Sequence, residues 1–239
     1  MAGVTPYNNS KRKKEQVTTM FNDIAKSYDF LNHSLSLGMD SLWRKQAIKK
    51  INNNPKNILD IATGTGDFAI TAAKYTNAKI TGIDISKGML DIGIKKVKKE
   101  NLNQKIHLQI ADSENLPFQN NSFDALTAGF GVRNFENLSK GLSEMYRVLD
   151  NNGIVVILEP STPKYFPLKQ LYNLYFNHIL PTIGAWISKN KDAYKYLPNS
   201  VNEFPVGESF IKKLEKAGFK QCNHFLLSFG IVSLYVAIK

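Results

Sequence analysis

A short apolar run ends in a glycine turn and re-emerges as an amphipathic helix at Ile58-Leu59-Asp60-Ile61-Ala62-Thr63-Gly64-Thr65-Gly66-Asp67-Phe68-Ala69. A strand that passes straight into a helix pairs with a parallel neighbour reached through that helix, which is the βαβ arrangement. Counting this one as residues 57–62, further strand-length apolar runs follow at 79–83, 106–110, 123–128 and 154–158, and several of the segments between them carry helical spacing. After one more helix over 207–217, residues 225–228 and 231–238 read as a closing pair of strands around Gly230. The expectation is an α/β protein with a Rossmann-like, doubly wound and mainly parallel sheet.

Gly64 and Gly66 let the backbone pass close to a ligand, and the helix that follows offers unpaired N–H groups. By itself the motif is a weak signal, with an ordinary turn between a strand and a helix as its alternative. The next run ends Ile80-Thr81-Gly82-Ile83-Asp84, with its acid 18 positions beyond Gly66, where it is placed to accept both hydroxyls of a ribose. The pattern at the turn is Asp-x-Ala-x-Gly-x-Gly, not the Gly-x-Gly-x-x-Gly that cradles a pyrophosphate. A carboxylate at Asp60 would repel a pyrophosphate and suits a ligand bearing an ammonium or sulfonium group. Asp60, Gly64, Thr65, Gly66 and Asp84 are therefore cofactor-binding candidates. Downstream of the third run, in Ala111-Asp112-Ser113-Glu114-Asn115-Leu116-Pro117, Asp112 suits an adenine amino group and the backbone near Ser113 the ring; a polar surface loop is the plainer alternative.

The chain of 239 residues is long enough for one large domain. Its 31 basic against 20 acidic side chains leave a net charge of +11, which admits nucleic acid, a membrane surface or acidic metabolites as partners. Only Arg12, Arg44, Arg133 and Arg147 are arginines, so lysine point charges dominate and nucleic-acid recognition is disfavoured. The lone Cys222 excludes an internal disulfide framework, and no Cys/His spacing suggests a metal site. No apolar stretch is long enough to span a bilayer. Residues 1–16 read as a flexible basic arm, and 17–54 as short helices carrying Met20, Phe21, Ile24, Tyr28 and Trp43 at helical spacing. A stripe of Leu168, Leu171, Tyr172, Tyr175, Phe176 and Ile179, with Trp186 beyond, marks a helical insertion over 163–200, either a lid over an apolar ligand or a core helix.

The three elements around Gly64, Asp84 and Asp112, in that order, resemble class I S-adenosylmethionine-dependent methyltransferases. A narrower resemblance comes from four blocks: Ala25-Lys26-Ser27-Tyr28-Asp29-Phe30-Leu31-Asn32 continuing into Ser36-Leu37-Gly38, Leu42-Trp43-Arg44, Gly129-Phe130-Gly131-Val132-Arg133-Asn134, and Ser143-Glu144-Met145-Tyr146-Arg147-Val148-Leu149 with Gly153 beyond it. These are similar to the quinone-biosynthesis C-methyltransferases that act on demethylmenaquinol and its ubiquinone-pathway counterpart. Where this chain has Thr63, Asp40-Ser41 and Gly129, that family commonly has glycine, a His-Arg pair and serine; His33 stands where it often has aspartate.

The resemblance implies a seven-stranded sheet closed by an antiparallel hairpin, with residues 17–239 as a single domain and the N-terminal helices on the substrate side. It implies S-adenosylmethionine as cofactor, a prenylated quinol as substrate and methyl transfer to a ring carbon, with the naphthoquinol favoured over the benzoquinol. Gly129 would then contact the cofactor through its backbone alone. Arg133 would stabilise the phenolate that forms at the ring hydroxyl, with a structural salt bridge as its alternative, and Asn134 would bond the second ring oxygen or else cap the next helix. The match puts Tyr28 and Asp29 near the substrate mouth, where Asp29 would take a proton or simply pair; His33 is the weaker base candidate. A cytoplasmic protein peripheral at the inner face of an anionic membrane follows, seated through Lys11, Arg12, Lys13 and Lys14, with a homo-oligomer allowed. Competing readings are methylation of another small acceptor, RNA modification, and cofactor binding without catalysis.

Overall fold

The computed structural model describes residues 4–175 and 191–239. In chain order the elements are α1 (Lys13–Leu35), α2 (Met39–Ile48), β1 (Asn57–Ile61), α3 (Asp67–Tyr75), β2 (Lys79–Asp84), α4 (Lys87–Lys99), β3 (Ile106–Ile110), β4 (Phe123–Gly129), a 3-10 turn (Val132–Asn134), α5 (Leu138–Val148), β5 (Leu149–Pro160), α6 (Leu168–Leu174), α7 (Lys191–Glu203), α8 (Glu208–Lys216), β6 (Lys220–Leu227) and β7 (Val232–Ile238). The strands form one seven-stranded sheet in the order β3-β2-β1-β4-β5-β7-β6. Pairs from β3 through β5 are parallel, and β7 is antiparallel to both β5 and β6.

The central strands are apolar on both faces because helices cover both. Leu59 and Ile61 face the core under α5 and α8, with Met145, Phe210 and Leu214. Ile58 faces the opposite core with Phe68, Ala72 and Trp43 of α3 and α2. The sheet order reverses between β1 and β4, so the connections leaving these two strands diverge and open a crevice at their carboxyl ends. A third cluster roofs that crevice: Met20, Ile24 and Leu31 of α1 pack with Tyr172 of α6 and Tyr196 and Val201 of α7. Asn22 pins α1 across the start of α4, its Oδ1 accepting from Ser86 Oγ and Gly88 N at 2.8 Å each.

Two expectations change, and one is met only in part by the described residues. The basic arm ends earlier than residue 16, since α1 begins at Lys13; the buried Gln16 side chain accepts from Tyr7 N at 2.8 Å and donates to Lys11 O at 2.7 Å, which holds the preceding segment against the helix. Strand β6 begins at Lys220, before the expected 225, because an edge strand half open to water carries a polar stretch that hides its period. Of the helical stripe, α6 and Tyr175 are described, whereas Phe176, Ile179 and Trp186 lie outside the described residues.

Candidate functional site

Two cavities lie over the carboxyl ends of β1, β2 and β4. The smaller, about 670 Å³ including its mouth, is lined by Ala62, Gly64, Asp84, Ile85, Asp112, Ser113, Gly129 and Gly131, with Lys14, Val17 and Phe21 of α1 above. The glycine turn leaves β1 with Ala62, Gly64 and Gly66 all at positive φ, the first a position where a β-carbon is strained. A β-carbon on Gly64 would meet nothing within 4 Å, so the turn shows bare backbone to the cavity, and one on Gly129 would lie 2.8 Å from the Phe68 ring. Asp84 accepts from Gly64 N and Ser86 N at 2.8 Å, one bond to each oxygen, which leaves a second lone pair on each for the two hydroxyls of a ribose. Burial pushes the Asp84 carboxyl up, against the backbone amides that hold it down.

The larger cavity, about 1060 Å³, is mostly apolar and is walled by Met20, Ile24, Trp43, Tyr172, Tyr175, Tyr196, Leu197, Ile231 and Val232, with Asp40, Arg44 and Arg133 as its charged members. Phe21, Tyr28, Phe130 and Asn134 line both cavities, so the two spaces meet at these side chains. Arg133, 8% exposed at its side chain, pairs through Nη1 with Glu159 at 3.0 Å and also donates to the Phe130 carbonyl, while its buried Nε has no partner among the described residues. Glu159 is wholly buried; burial pushes its carboxyl up, against the pull of Arg133 and of the amides at 132 and 133. Burial raises the Tyr28 hydroxyl and lifts that of Tyr196 to about 12, so both stay protonated donors. Asn134 Oδ1 accepts from Tyr196 at 3.1 Å.

Several expected residues sit elsewhere. Asp60 lines neither cavity: wholly buried beneath the turn, its oxygens accept from Thr63 and Thr127 hydroxyls, the latter delivered by the β1–β4 register that sets residue 60 beside 127. It therefore braces the turn from below, and Thr63, in the place of a glycine, supplies one of the braces. Thr65 and Gly66 also stand behind the wall. Asp29 is not on either cavity; Thr65 Oγ1 donates to it at 2.5 Å and Lys96 Nζ at 2.8 Å. Lys96 also bonds Asp67, and Arg44 Nη2 reaches that Asp67 at 3.6 Å, so the Asp29 carboxylate is spent in a charge network behind the turn. Its expected role as proton acceptor is corrected on that ground. Asp112 lies at the smaller cavity, but Lys14 Nζ holds its Oδ2 at 2.7 Å and Glu114 N its Oδ1 at 2.9 Å. The helix cap considered for Asn134 belongs to Asn137, whose side chain accepts from Lys140 N at 3.0 Å.

Sequence reading missed Asp40, Tyr196 and Glu159. Asp40, on the wall of the larger cavity, accepts from Arg44 Nη1 at 2.6 Å and lies 3.1 Å from His33 Nδ1, whose ring is exposed. Burial lifts the Asp40 carboxyl, but Arg44 and Ser36 outweigh it and hold it below the usual range. The signal was present: the family's usual aspartate and histidine at positions 33 and 40 are exchanged here, and the two side chains touch. Glu159 was visible as an acid closing the apolar run of β5, a place where a charge is buried only with a partner.

The ubiE/COQ5 methyltransferase family matches residues 9–239. A demethylmenaquinone methyltransferase of Bacteroides fragilis is 48% identical over 238 residues, covering 99% of this chain and 97% of its own. A ubiquinone/menaquinone biosynthesis C-methyltransferase of Geotalea daltonii is 47% identical over 95% of this chain and 97% of its own. Among solved structures, a possible histamine N-methyltransferase from Thermotoga maritima shares the fold, with a TM-score of 0.64 at 20% identity over 92% of this chain and 99% of that one. With a match across nearly its whole length and relatives approaching half identity, the chain belongs to the ubiE/COQ5 methyltransferase family.

Proposed function

We propose that this chain catalyses the C-methylation of demethylmenaquinol to menaquinol, with S-adenosylmethionine as donor. The observation that carries the reading is the shared wall: a cavity with a ribose-type acceptor at Asp84 meets a larger apolar cavity at Phe21, Tyr28, Phe130 and Asn134. Bound S-adenosylmethionine supplies an electrophilic methyl group on a sulfonium. Gly64, Asp84, Ser113 and Gly129 would hold it. A carboxylate has about four lone-pair sites, so Asp112 keeps capacity for an adenine amino group beside Lys14.

A ring carbon becomes nucleophilic enough when its neighbouring hydroxyl loses a proton, so the chain has to stabilise an oxyanion and hold the ring in line. Arg133 is the fixed positive charge for that oxyanion, kept in orientation by Glu159. Asn134 and Tyr28, both on the shared wall, orient the ring and remain neutral. Asp40, the carboxylate among the described lining residues of the larger cavity, fixes Arg44 on that wall through its Oδ2. Tyr172, Tyr175 and Leu197 cover the start of the isoprenoid tail. The protein works peripherally at the membrane that holds the quinol; no described helix is long and apolar enough to cross one.

The test is transfer of label from methyl-labelled S-adenosylmethionine to reduced demethylmenaquinone. Label on a ring carbon of the quinol is expected; its absence under reducing conditions would overturn the proposal.

A further inference from the structure

Leu37, Phe229, Phe166 and Tyr165 are 85%, 85%, 81% and 77% exposed. They occupy three connections: between α1 and α2, between β6 and β7, and between β5 and α6. The connections touch one another. Trp43 Nε1 donates to Ser228 Oγ at 2.8 Å, Met39 Sδ lies 3.8 Å from that hydroxyl, and Ser161 donates to the Gly230 and Ile231 carbonyls at 2.8 Å each. They also border the larger cavity, whose wall takes Ser36, Pro160 and Ile231 from the same stretches. On α6 the pattern continues, with Leu171 and Leu174 exposed while Tyr172 and Tyr175 line the cavity.

Two of these side chains sit where the backbone disfavours them. Leu37 at φ 52° and Phe229 at φ 59° hold the left-handed conformation, which glycine adopts freely and a bulky residue does not. An apolar side chain left in water contributes nothing to folding by burial. Neither backbone nor core accounts for leucine and phenylalanine at these positions, and a cluster of this size marks a contact surface. Within these stretches the exposed charges are basic: residues 161–175 carry exposed Lys164 and Lys169 and no acid, residues 36–39 and 226–231 carry no Asp, Glu, Lys or Arg, and the adjoining Asp40 is buried against Arg44.

We infer that this apolar ring seats the protein on an anionic lipid bilayer, with the mouth of the larger cavity facing the leaflet. The purpose of such a seat, though not the observation of it, rests on the quinol reading of that cavity. It moves the membrane contact away from residues 11–14, where Lys13 Nζ donates to the carbonyls of Arg133 and Phe135 and Lys14 binds Asp112 and Glu114. Apolar side chains enter the interfacial layer, and the lysines meet anionic headgroups.

The test is co-sedimentation of the whole chain with vesicles of phosphatidylglycerol and phosphatidylethanolamine, and with phosphatidylcholine alone. The triple variant Leu37→Gly, Phe166→Ser, Phe229→Gly is expected to bind the anionic vesicles at least tenfold more weakly. Its thermal midpoint is not lowered, because glycine suits residues 37 and 229, and its turnover on a tail-free quinol in solution is unchanged. The pair Lys11→Gln, Arg12→Gln is expected to bind within twofold of the parent. Undiminished binding by the triple variant, or loss of binding in the pair alone, would overturn the inference. So would a parent that binds neither vesicle and sediments as a dimer that the triple variant dissolves, since the ring would then be a self-association face. Failure of the parent to methylate the tail-free quinol would count against the reaction and leave the vesicle result intact.

Discussion

The two cavities that share Tyr28 and Asn134 are built in opposite ways. The smaller takes its floor from strand-end loops: the Gly64 turn, the tip of β2 at Asp84 and the loop after β3, where loop amides bond the Asp84 and Asp112 carboxylates. The larger is made by side chains drawn from α1, α2, the 3-10 turn, α6, α7 and the start of β7. A wall of backbone keeps its shape whatever side chains surround it, whereas a wall of side chains changes with each substitution. One scaffold can in this way keep a cofactor site while the acceptor site varies.

The largest expected effect tests the acceptor side. Arg133→Met should lower kcat by about 10²–10³-fold, the usual loss when an oxyanion donor is removed, while calorimetry finds S-adenosylhomocysteine binding within threefold of the parent. Because this leaves Glu159 buried without its partner, which costs about 3–5 kcal/mol, the comparison is best made against Arg133→Met combined with Glu159→Gln. Loss of cofactor affinity in both would dissolve the distinction between the two cavities. On the cofactor side, Asp84→Ala should weaken S-adenosylhomocysteine about 100-fold, as expected for two charge-assisted hydrogen bonds at roughly 1.5–3 kcal/mol each, partly recovered by water.

Asp60 sharpens the boundary of the cofactor side. Burial pushes its carboxyl up to about 6, against the hydroxyls of Thr127 and Thr63. The folded state thus binds this proton more tightly than the unfolded chain, so the group's stabilising contribution is full below its ordinary value and is lost as pH rises through about 6. Chemical denaturation from pH 4 to 7 should show a loss on the order of 2–3 kcal/mol that Asp60→Asn removes, with cofactor affinity nearly unchanged. A collapse of that affinity would return Asp60 to the cavity wall. The smallest effect belongs to Tyr196→Phe, which deletes one neutral hydrogen bond to Asn134. A threefold to tenfold fall in kcat/KM is expected from its roughly 0.5–1.5 kcal/mol, with cofactor binding unmoved.

Legibility in the sequence followed the same division. Asp84, Gly64 and Ser113 could be read because each lies at the end of a strand whose period is local, and the parallel order brings strand ends to one edge. Asp60 was read at the right place in the turn but on the wrong side of it, since only the β1–β4 register supplies Thr127 as its second partner. Asp29 lay within a recognisable block, yet Lys96 from α4 decides what its carboxylate does. The exposed ring of Leu37, Phe166 and Phe229 has no period at all, because it is assembled from three turns far apart in the chain.

What the sequence by itself determined is the alternation of strand and helix, the glycine turn with an acid at or just past the end of each of the next two strands, and the family blocks, each a short local pattern set in a fixed order along the chain. What only the tertiary structure decided is distant pairing: Arg133 with Glu159, Asp29 with Lys96, Lys14 with Asp112, and which apolar residues stay in water. The physical reason is range. Backbone periodicity is set by near neighbours, whereas the partner of a charge is set by the order in which strands and helices pack, and that order joins residues 98 positions apart in Lys14 and Asp112.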